Sequence, residues 1–162
     1  MTQKRFHYII DGYNLIHAIP SLKKLVSANQ LIQAREQLLF LLEKFTLKNK
    51  IQCTVIFDGT KPSNEKTSST VHITYSFPSN ADNFIKKLIE KSSSRSWLMI
   101  VSSDREILNF ASVCSCSTFT SKEFAKKLTS PNINQKREEK TDTENLSRKE
   151  VEEWLRIFGE KS

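Results

Sequence analysis

The sequence predicts an α/β fold in which helices cover both faces of a central, mainly parallel sheet. Short strand-like runs alternate with segments of helical periodicity, a pattern typical of β-α-β units with right-handed crossovers. Three of these runs are almost wholly apolar, as expected for strands that are buried on both faces. The 162 residues, 38% hydrophobic and 27% charged, have the length and balance of one globular domain.

In the first half of the chain we predict three strands and one long helix. The first strand covers residues 6–10 and stops at an Asp-Gly turn. Apolar residues at helical spacing predict a helix over residues 29–48. The β-rich run 51–57 predicts a second buried strand, which also stops at an Asp-Gly pair. Residues 71–75 alternate polar and apolar side chains, which is typical of a strand with one exposed face.

The second half continues this alternation. Residues 97–101 are the most hydrophobic run and predict a third buried strand. The other predicted elements are a helix from its cap at Asn80 to Glu90, a short helix over residues 105–111, a weak strand over 115–119, a helix from its cap at Ser121 to Leu128 and a final helix from its cap at Ser147 to Phe158. Residues 130–146 are polar and predict a linker. We therefore divide the chain into a folded domain, residues 1–130, and a polar linker with a C-terminal helix, residues 131–162.

Charge and cysteine content limit the partners and the location. Residues 1–130 contain 18 lysines and arginines against ten acidic residues, so they carry all of the basic surplus behind the net charge of +7. A basic domain favours RNA or DNA as a partner, although a lysine-rich surface that only confers solubility is the alternative. The three cysteines are odd in number, and no apolar run suits a signal peptide or a membrane span. We expect a cytoplasmic location and no membrane partner.

Aspartates follow all three buried strands. Asp11 and Asp58 come directly after the first two strands, and Asp104 comes three residues after the third. Asp82 lies in the first turn of the helix that follows the fourth strand-like run. Ligands of open α/β sheets bind at the carboxyl ends of the strands, so we expect all four carboxylates at one edge. Each aspartate singly has a structural explanation as a turn or capping residue, but four like charges together require a cation or protonation.

Oxygen ligands without a matching set of histidines and cysteines select hard divalent cations. We therefore predict Mg²⁺ or Mn²⁺ as the cofactor. Such ions activate water and stabilise the charge that develops on a phosphodiester. The three histidines are scattered, and Cys114 and Cys116 have no further ligands nearby, so neither group predicts a zinc site.

Short motifs in a fixed order resemble those of a known family. The segment IIDGYNLI at residues 9–16 resembles the strand-ending D-G-Y-N motif that opens the NYN (YacP-like) family of PIN-like ribonucleases. The later motifs of that family are similar to VIFD at residues 55–58, SNAD at 79–82 with the following Ile85, VSSD at 101–104 and SKEF at 121–124. The first motif is fairly specific, and the ordered set is strong.

The resemblance implies a PIN-like three-layer sandwich and metal-dependent endoribonuclease activity. One branch of the family acts on messenger RNA in the ribosome, which implies RNA as the substrate and the ribosome as a partner. Two positions depart from the family pattern, because Asn83 and Lys86 stand where related nucleases often carry acids. Fewer carboxylates should weaken metal binding. The loop over residues 59–69 is short, which removes candidate substrate contacts.

On these grounds we assign two groups of site residues. The catalytic carboxylates are Asp11, Asp82 and Asp104 as metal ligands, with Asp58 as an outer or water-mediated ligand. The candidate substrate-binding residues are Tyr13, Asn14, Lys86, Ser102, Ser103 and Arg105.

Each substrate-binding candidate has an alternative role. Asn14 orients Asp11 or contacts a phosphate, or it stabilises a turn. Tyr13 stacks on a base or packs its ring against the core. The two serines contact a water at the site or cap the next helix, and we favour capping for Ser103. Lys86 and Arg105 bind RNA phosphates, and for Lys86 the alternative is a solvated helix face.

The sequence leaves three candidate functions for the chain. The first is a Mg²⁺-dependent endoribonuclease. The second is a nuclease-like RNA-binding module with weak or lost catalysis, which Asn83 and Lys86 make credible. The third, a flavodoxin-like or phosphatase domain for a small phosphorylated ligand, is disfavoured because the chain has only three glycines and no glycine-rich phosphate loop.

Overall fold

A computed structural model describes residues 5–63 and 67–130 of the chain. The elements in chain order are β1 (His7–Asp11), α1 (Gly12–Ala18), α2 (Pro20–Ser27), α3 (Leu31–Asn49), β2 (Gln52–Phe57), β3 (Val71–Tyr75), α4 (Ala81–Lys91), a 3₁₀ turn (Arg95–Trp97), β4 (Leu98–Ser102), α5 (Arg105–Val113), β5 (Ser117–Thr120) and α6 (Ser121–Leu128). The predicted linker beyond residue 130 and the predicted C-terminal helix lie outside the described residues. In the part of the chain that is described, no helix is both long enough and apolar enough to cross a bilayer.

The five strands form one parallel sheet in the order β3-β2-β1-β4-β5, which confirms the predicted fold class. β1 lies in the centre and pairs with β2 on one side and with β4 on the other. The chain therefore builds the sheet outwards from β1 in two directions. The point between β1 and β4 is a topological switch point, where a crevice opens at the carboxyl ends of the strands.

Helices cover both faces of the sheet. Alternate residues of a strand point to opposite faces, so each central strand contributes to two apolar layers. One layer packs against α1, α2, α3 and α6 and includes Ile10, Val55 and Val101. The other layer packs against α4 and α5 and includes Ile9, Ile56 and Ile100. The helix after β1 and the helix after β4 thus leave the crevice towards opposite faces.

Two helices after β1 were not predicted. The expected Asp-Gly turn is wrong, because α1 begins directly at Gly12. A Cβ atom at Gly12 would lie 2.5 Å from the Phe57 ring, so glycine allows the first turn of α1 to pack against β2. Pro20 begins α2 and separates it from α1. This break hid the helical spacing of the buried residues Leu15, Ile16, Ile19 and Leu22.

The elements predicted between residues 29 and 128 all exist, with small shifts at their ends. The cap of α6 is Thr120 rather than Ser121, since the Thr120 hydroxyl accepts the Glu123 N–H and the Glu123 carboxylate accepts the Thr120 N–H. β5 begins at Ser117 instead of residue 115, because Ser115 has a φ of 71° in the turn after α5. Neither shift moves a candidate site residue.

Candidate functional site

Four aspartates lie where the strands of the sheet end. Asp11 is the last residue of β1, Asp58 follows β2, and Asp104 comes two residues after β4. Asp82 is the second residue of α4, the helix that follows β3. Because β1 and β4 are neighbours at the switch point, Asp11 and Asp104 flank the crevice from its two sides.

Asp11 is buried and held by a short chain of side chains. Only 4% of its surface is exposed. The Asn14 amide, one turn into α1, donates to Asp11 Oδ2 at 2.5 Å. The Ser103 hydroxyl, in the loop after β4, donates to the Asn14 carbonyl oxygen. This chain fixes the Asp11 carboxylate and connects the ends of β1 and β4 across the crevice.

The surroundings of Asp11 oppose its ionisation. Burial raises the pKa of the Asp11 carboxyl group, and the charges of Asp104 and Asp58 raise it further. The hydrogen bonds from Asn14 act in the opposite direction, because they stabilise the carboxylate. The three carboxylates therefore repel one another across the edge, and Asn14 offsets part of this cost.

The pKa of Asp82 depends on the other carboxyl groups of the site. Burial, a hydrogen bond with the Asp104 side chain and the charges of Asp104 and Asp11 raise the pKa of Asp82 to about 6. The ammonium group of Lys86 lowers this pKa in part. One side chain, Asp82, thus interacts with both of the other predicted metal ligands.

Asp104 has a structural role besides its place in the site. Its Oδ1 caps α5 by accepting the N–H groups of Glu106 at 2.8 Å and Ile107 at 3.4 Å. The Ser102 hydroxyl in turn accepts the Asp104 N–H at 3.0 Å. Capping by Ser103 is therefore wrong, since Asp104 caps this helix and Ser103 contacts Asn14 instead. Both cap contacts use the Oδ1 atom of Asp104.

Asp58 fixes the start of α4. Its Oδ1 accepts the Ser76 hydroxyl at 2.9 Å and the N–H of Ala81, the first residue of α4, at 3.0 Å. The buried Ser76 hydroxyl also accepts the Gly59 N–H at 3.1 Å. The residue after Ala81 is Asp82, so Asp58 holds in position the turn that carries the Asp82 carboxylate.

The chemistry of the donors fits a hard divalent cation. The charge of Asp104 raises the pKa of both Asp11 and Asp82, and a cation would relieve this repulsion. Within residues 5–63 and 67–130, however, no three His, Cys, Asp or Glu side chains are spaced as a ready-made metal site.

Lys86 lies beside the carboxylates but has another main partner. Its ammonium group forms an ion pair of 2.9 Å with Glu106, a residue of α5 that was not predicted to take part. The same group lies 5.7 Å from the centre of the Phe110 ring. The hydrogen bond to Glu106 is the largest cause of its raised pKa, and the charges of Asp82 and Asp104 add to it. Arg105, the first residue of α5, is exposed.

Tyr13 is packed rather than free. Its ring centre lies 5.0 Å from that of Phe57, and its hydroxyl accepts a hydrogen bond of 2.9 Å from Arg35. The Arg35 guanidinium also lies over the Phe57 ring at 5.8 Å. These contacts support the alternative in which the Tyr13 ring is packed. The face of the ring on the Phe57 side is not free to stack on a base.

Phe77 lies near this edge and was not among the predicted site residues. It lies in the loop between β3 and α4, where its N–H donates to the Gly59 carbonyl oxygen at 2.9 Å. Its side chain is 65% exposed, although most large apolar residues of the domain are buried. The signal in the sequence was a bulky aromatic residue between Ser76 and the cap of α4, in a segment that otherwise reads as a polar turn.

A model of the YacP-like NYN domain matches residues 8–158, nearly the whole chain. No curated protein matches the sequence.

Solved structures share the fold. A crystal structure of Rae1 (YacP) from Bacillus subtilis is 22% identical and has a TM-score of 0.68, with 97% of this chain and 93% of that chain covered. The W164L mutant of the same protein gives 21% identity, a TM-score of 0.64 and coverage of 82% and 79%. At this level of identity the likeness supports the fold and no individual residue role.

Proposed function

Because the chain belongs to the YacP-like NYN family, whose members are nuclease-like and act on RNA, we propose that it is a metal-dependent endoribonuclease that hydrolyses RNA phosphodiester bonds. The proposed cofactor is Mg²⁺ or Mn²⁺, and the proposed ligands are Asp11, Asp82 and Asp104. The observation that carries the proposal is the electrostatic coupling of these three carboxyl groups at the switch point of the sheet.

A bound cation would supply polarisation of the scissile phosphate and a lower pKa for the attacking water. The residues of the chain would hold the reacting groups in place. Asn14 and Ser103 keep the Asp11 carboxylate oriented, and Asp58 keeps the first turn of α4 against the edge of the sheet. Such fixed partners reduce the motion of ligands during the reaction.

RNA binding in this proposal depends on the basic groups around the edge. Lys86 and Arg105 lie on the helices that begin beside the carboxylates, and Phe77 offers an exposed ring for a base. The ribosome is a further proposed partner, on the resemblance to the family branch that acts on messenger RNA there. A cytoplasmic location belongs to the same proposal.

A second candidate is an RNA-binding module with weak or lost catalysis. Two observations favour it: Lys86 stands beside Asp82 where related nucleases often carry an acid, and the described carboxylates are not spaced as a ready-made metal site. In this case RNA would bind at the same edge without being cut.

The deciding experiment incubates the full chain with single-stranded and structured RNAs in Mg²⁺, in Mn²⁺ and in EDTA. Metal-dependent cutting that Asp104→Asn abolishes, and that Glu90→Gln on the exposed end of α4 does not, would support the nuclease. RNA binding without cutting in any of the three conditions would favour the second candidate.

A further inference from the structure

An open groove lies at the opposite edge of the sheet from the carboxylates. It borders the amino ends of β1, β2 and β3 and the last turn of α3, and its volume is about 730 Å³. This is within the range of roughly 300–1,000 Å³ that is usual for small-ligand sites. The proposed nuclease reaction uses none of its residues.

The charges that line this groove all have one sign. Arg5, before β1, and Lys50, after α3, are the cationic side chains of the lining, which also includes the imidazoles of His7 and His72. Among the described lining residues there is no aspartate or glutamate. A concave surface with only basic ionised groups attracts anions.

A polar row crosses three strands inside the groove. In the register of the sheet His7 pairs with Gln52, and Thr54 pairs with His72, so the four side chains point to the same face. His7 Nε2 and Thr54 Oγ1 are 2.7 Å apart. Gln52 and His72 are exposed and His7 is half-buried, so the polar groups of this row are open to a ligand.

Lys50 holds a backbone conformation that lysine rarely adopts. Its φ of 53° and ψ of 51° are left-handed, and the position directly after a helix is one that glycine or asparagine normally fills. The attraction of a cation to the end of α3 does not require Lys50, because Lys48 already lies in the last turn. A strained residue that keeps a long cationic side chain in a groove points to binding.

We propose that this groove is a second binding site, separate from the carboxylates, for a phosphate-bearing ligand. Arginine, lysine and imidazole N–H groups are the usual partners of phosphate oxygens. The Ser68 hydroxyl accepts the N–H groups of Thr70 and Val71, so its proton is directed elsewhere and can donate to the same ligand. The phosphate is either free, as an ion or mononucleotide, or part of an RNA strand.

The three histidines of the chain provide the test. His7 and His72 line the groove, whereas His17 is exposed on α1 and serves as an internal control. We would titrate inorganic phosphate into the full chain at fixed pH and ionic strength, in EDTA, and follow the imidazole NMR signals. Saturable shifts at His7 and His72 with none at His17 are expected. No saturable shift, or equal shifts at all three histidines, would overturn the proposal.

A variant of Lys50 separates binding from folding. Lys50→Gly removes the charge and relieves the left-handed backbone, so Tm should stay the same or rise while the Kd for phosphate rises about tenfold. Arg5→Gln, in an exposed position before β1, should weaken binding independently. Lys122→Gln on α6 makes the same change in net charge and should leave Kd unchanged. An equal loss of phosphate affinity in Lys122→Gln, or no loss in either Lys50→Gly or Arg5→Gln, would contradict a specific site.

Two further arms distinguish the source of the phosphate. AMP that competes with phosphate and binds more tightly would identify a mononucleotide site, and a single-stranded oligoribonucleotide that outcompetes AMP would identify the RNA backbone. Phosphate that binds as tightly as both would identify the free ion.

Discussion

The Asp104 side chain opposes the ionisation of Asp82, although Asp104 caps α5 and Asp82 lies in the first turn of α4. Burial first, and then this pairing, raise the pKa of Asp82 to about 6. The pair is therefore a source of instability at neutral pH unless a cation neutralises it.

Asp82→Asn should raise Tm at pH 8 when divalent cations are removed with EDTA. The folded-state pKa of Asp82 lies above its ordinary value of 3.8, so the folded state binds the proton more tightly, and stability falls as pH rises towards 6. Asparagine does not ionise and avoids this loss of stability, so the Tm should rise by about 1–3 °C for a domain of this size. The gain should disappear at pH 4. Thermal unfolding at both pH values is the measurement, with Glu90→Gln as control, and an unchanged Tm at pH 8 would contradict the raised pKa.

Asp104→Asn should abolish cleavage and keep RNA affinity within a few-fold. Asparagine caps helices as well as aspartate does, so α5 should remain in place while one carboxylate is lost from the site. In the proposed function the contacts to phosphates come from basic residues, so removing a negative charge should tighten binding slightly. Fluorescence anisotropy with labelled RNA at several salt concentrations measures affinity, which should fall steeply with salt. Loss of RNA binding with an intact fold would refute this division of roles.

Asn14→Ala should lower the cleavage rate about 10- to 100-fold without a matching loss of RNA affinity. The Asn14 amide is the hydrogen-bond donor that orients Asp11 and offsets part of its burial. The half-saturating Mg²⁺ concentration should also rise, a change that a purely structural role would not produce. Ser103→Ala removes the donor to Asn14 and should have a smaller effect of the same kind. A rate loss without any change in Mg²⁺ dependence would indicate a turn role alone.

Phe77→Ala should weaken RNA binding about fivefold or more and leave Tm unchanged. The ring is 65% exposed, so its loss removes little packing, whereas stacking on one base is worth about 1–3 kcal/mol. Phe77→Trp should restore affinity. Phe40→Ala on α3 is the matched control, because that ring is also exposed, at 59%, and lies away from the carboxylates. If both alanine variants bind RNA equally well, Phe77 is no stacking residue.

The sequence predicted the sheet well because its strands are buried. β1, β2 and β4 are mostly apolar on both faces and end near aspartates, and that pattern also locates Asp11, Asp58 and Asp104 at one edge. The helices α1 and α2 were missed because each spans only seven or eight residues and Pro20 interrupts their common spacing.

The interactions between side chains could not be predicted from spacing. Glu106 pairs with Lys86 from a different helix, and Ser103 contacts Asn14 from 89 residues away in the chain. Such contacts depend on the packing of α4 against α5 and of β1 beside β4, which local sequence does not encode. In a Lys86→Glu variant the new carboxylate would face Glu106, so a neutral residue is the better replacement for Lys86.

Lys86→Gln should tighten Mg²⁺ binding a few-fold. The Lys86 ammonium lowers the pKa of Asp82 and adds a positive charge near Asp104. It therefore offsets part of the negative potential that would attract a cation. Glutamine removes this charge and can still donate a hydrogen bond to Glu106. Asn83→Glu, at the other position where related nucleases often carry an acid, should add to the effect if its side chain reaches the site. The measurement is the half-saturating Mg²⁺ concentration for cleavage, together with Mn²⁺ binding followed by electron paramagnetic resonance.

The control for Lys86→Gln is Lys87→Gln, the same change at the next residue of α4. Lys87 is exposed and turned about 100° around the helix axis from Lys86, so its charge lies farther from Asp82. A general effect of net charge would lower the Mg²⁺ requirement equally in both variants. A specific effect would lower it in Lys86→Gln alone. An unchanged metal requirement in Lys86→Gln and in its combination with Asn83→Glu would mean that this face of α4 does not influence the cation, and the ligand role of Asp82 would then have to be abandoned.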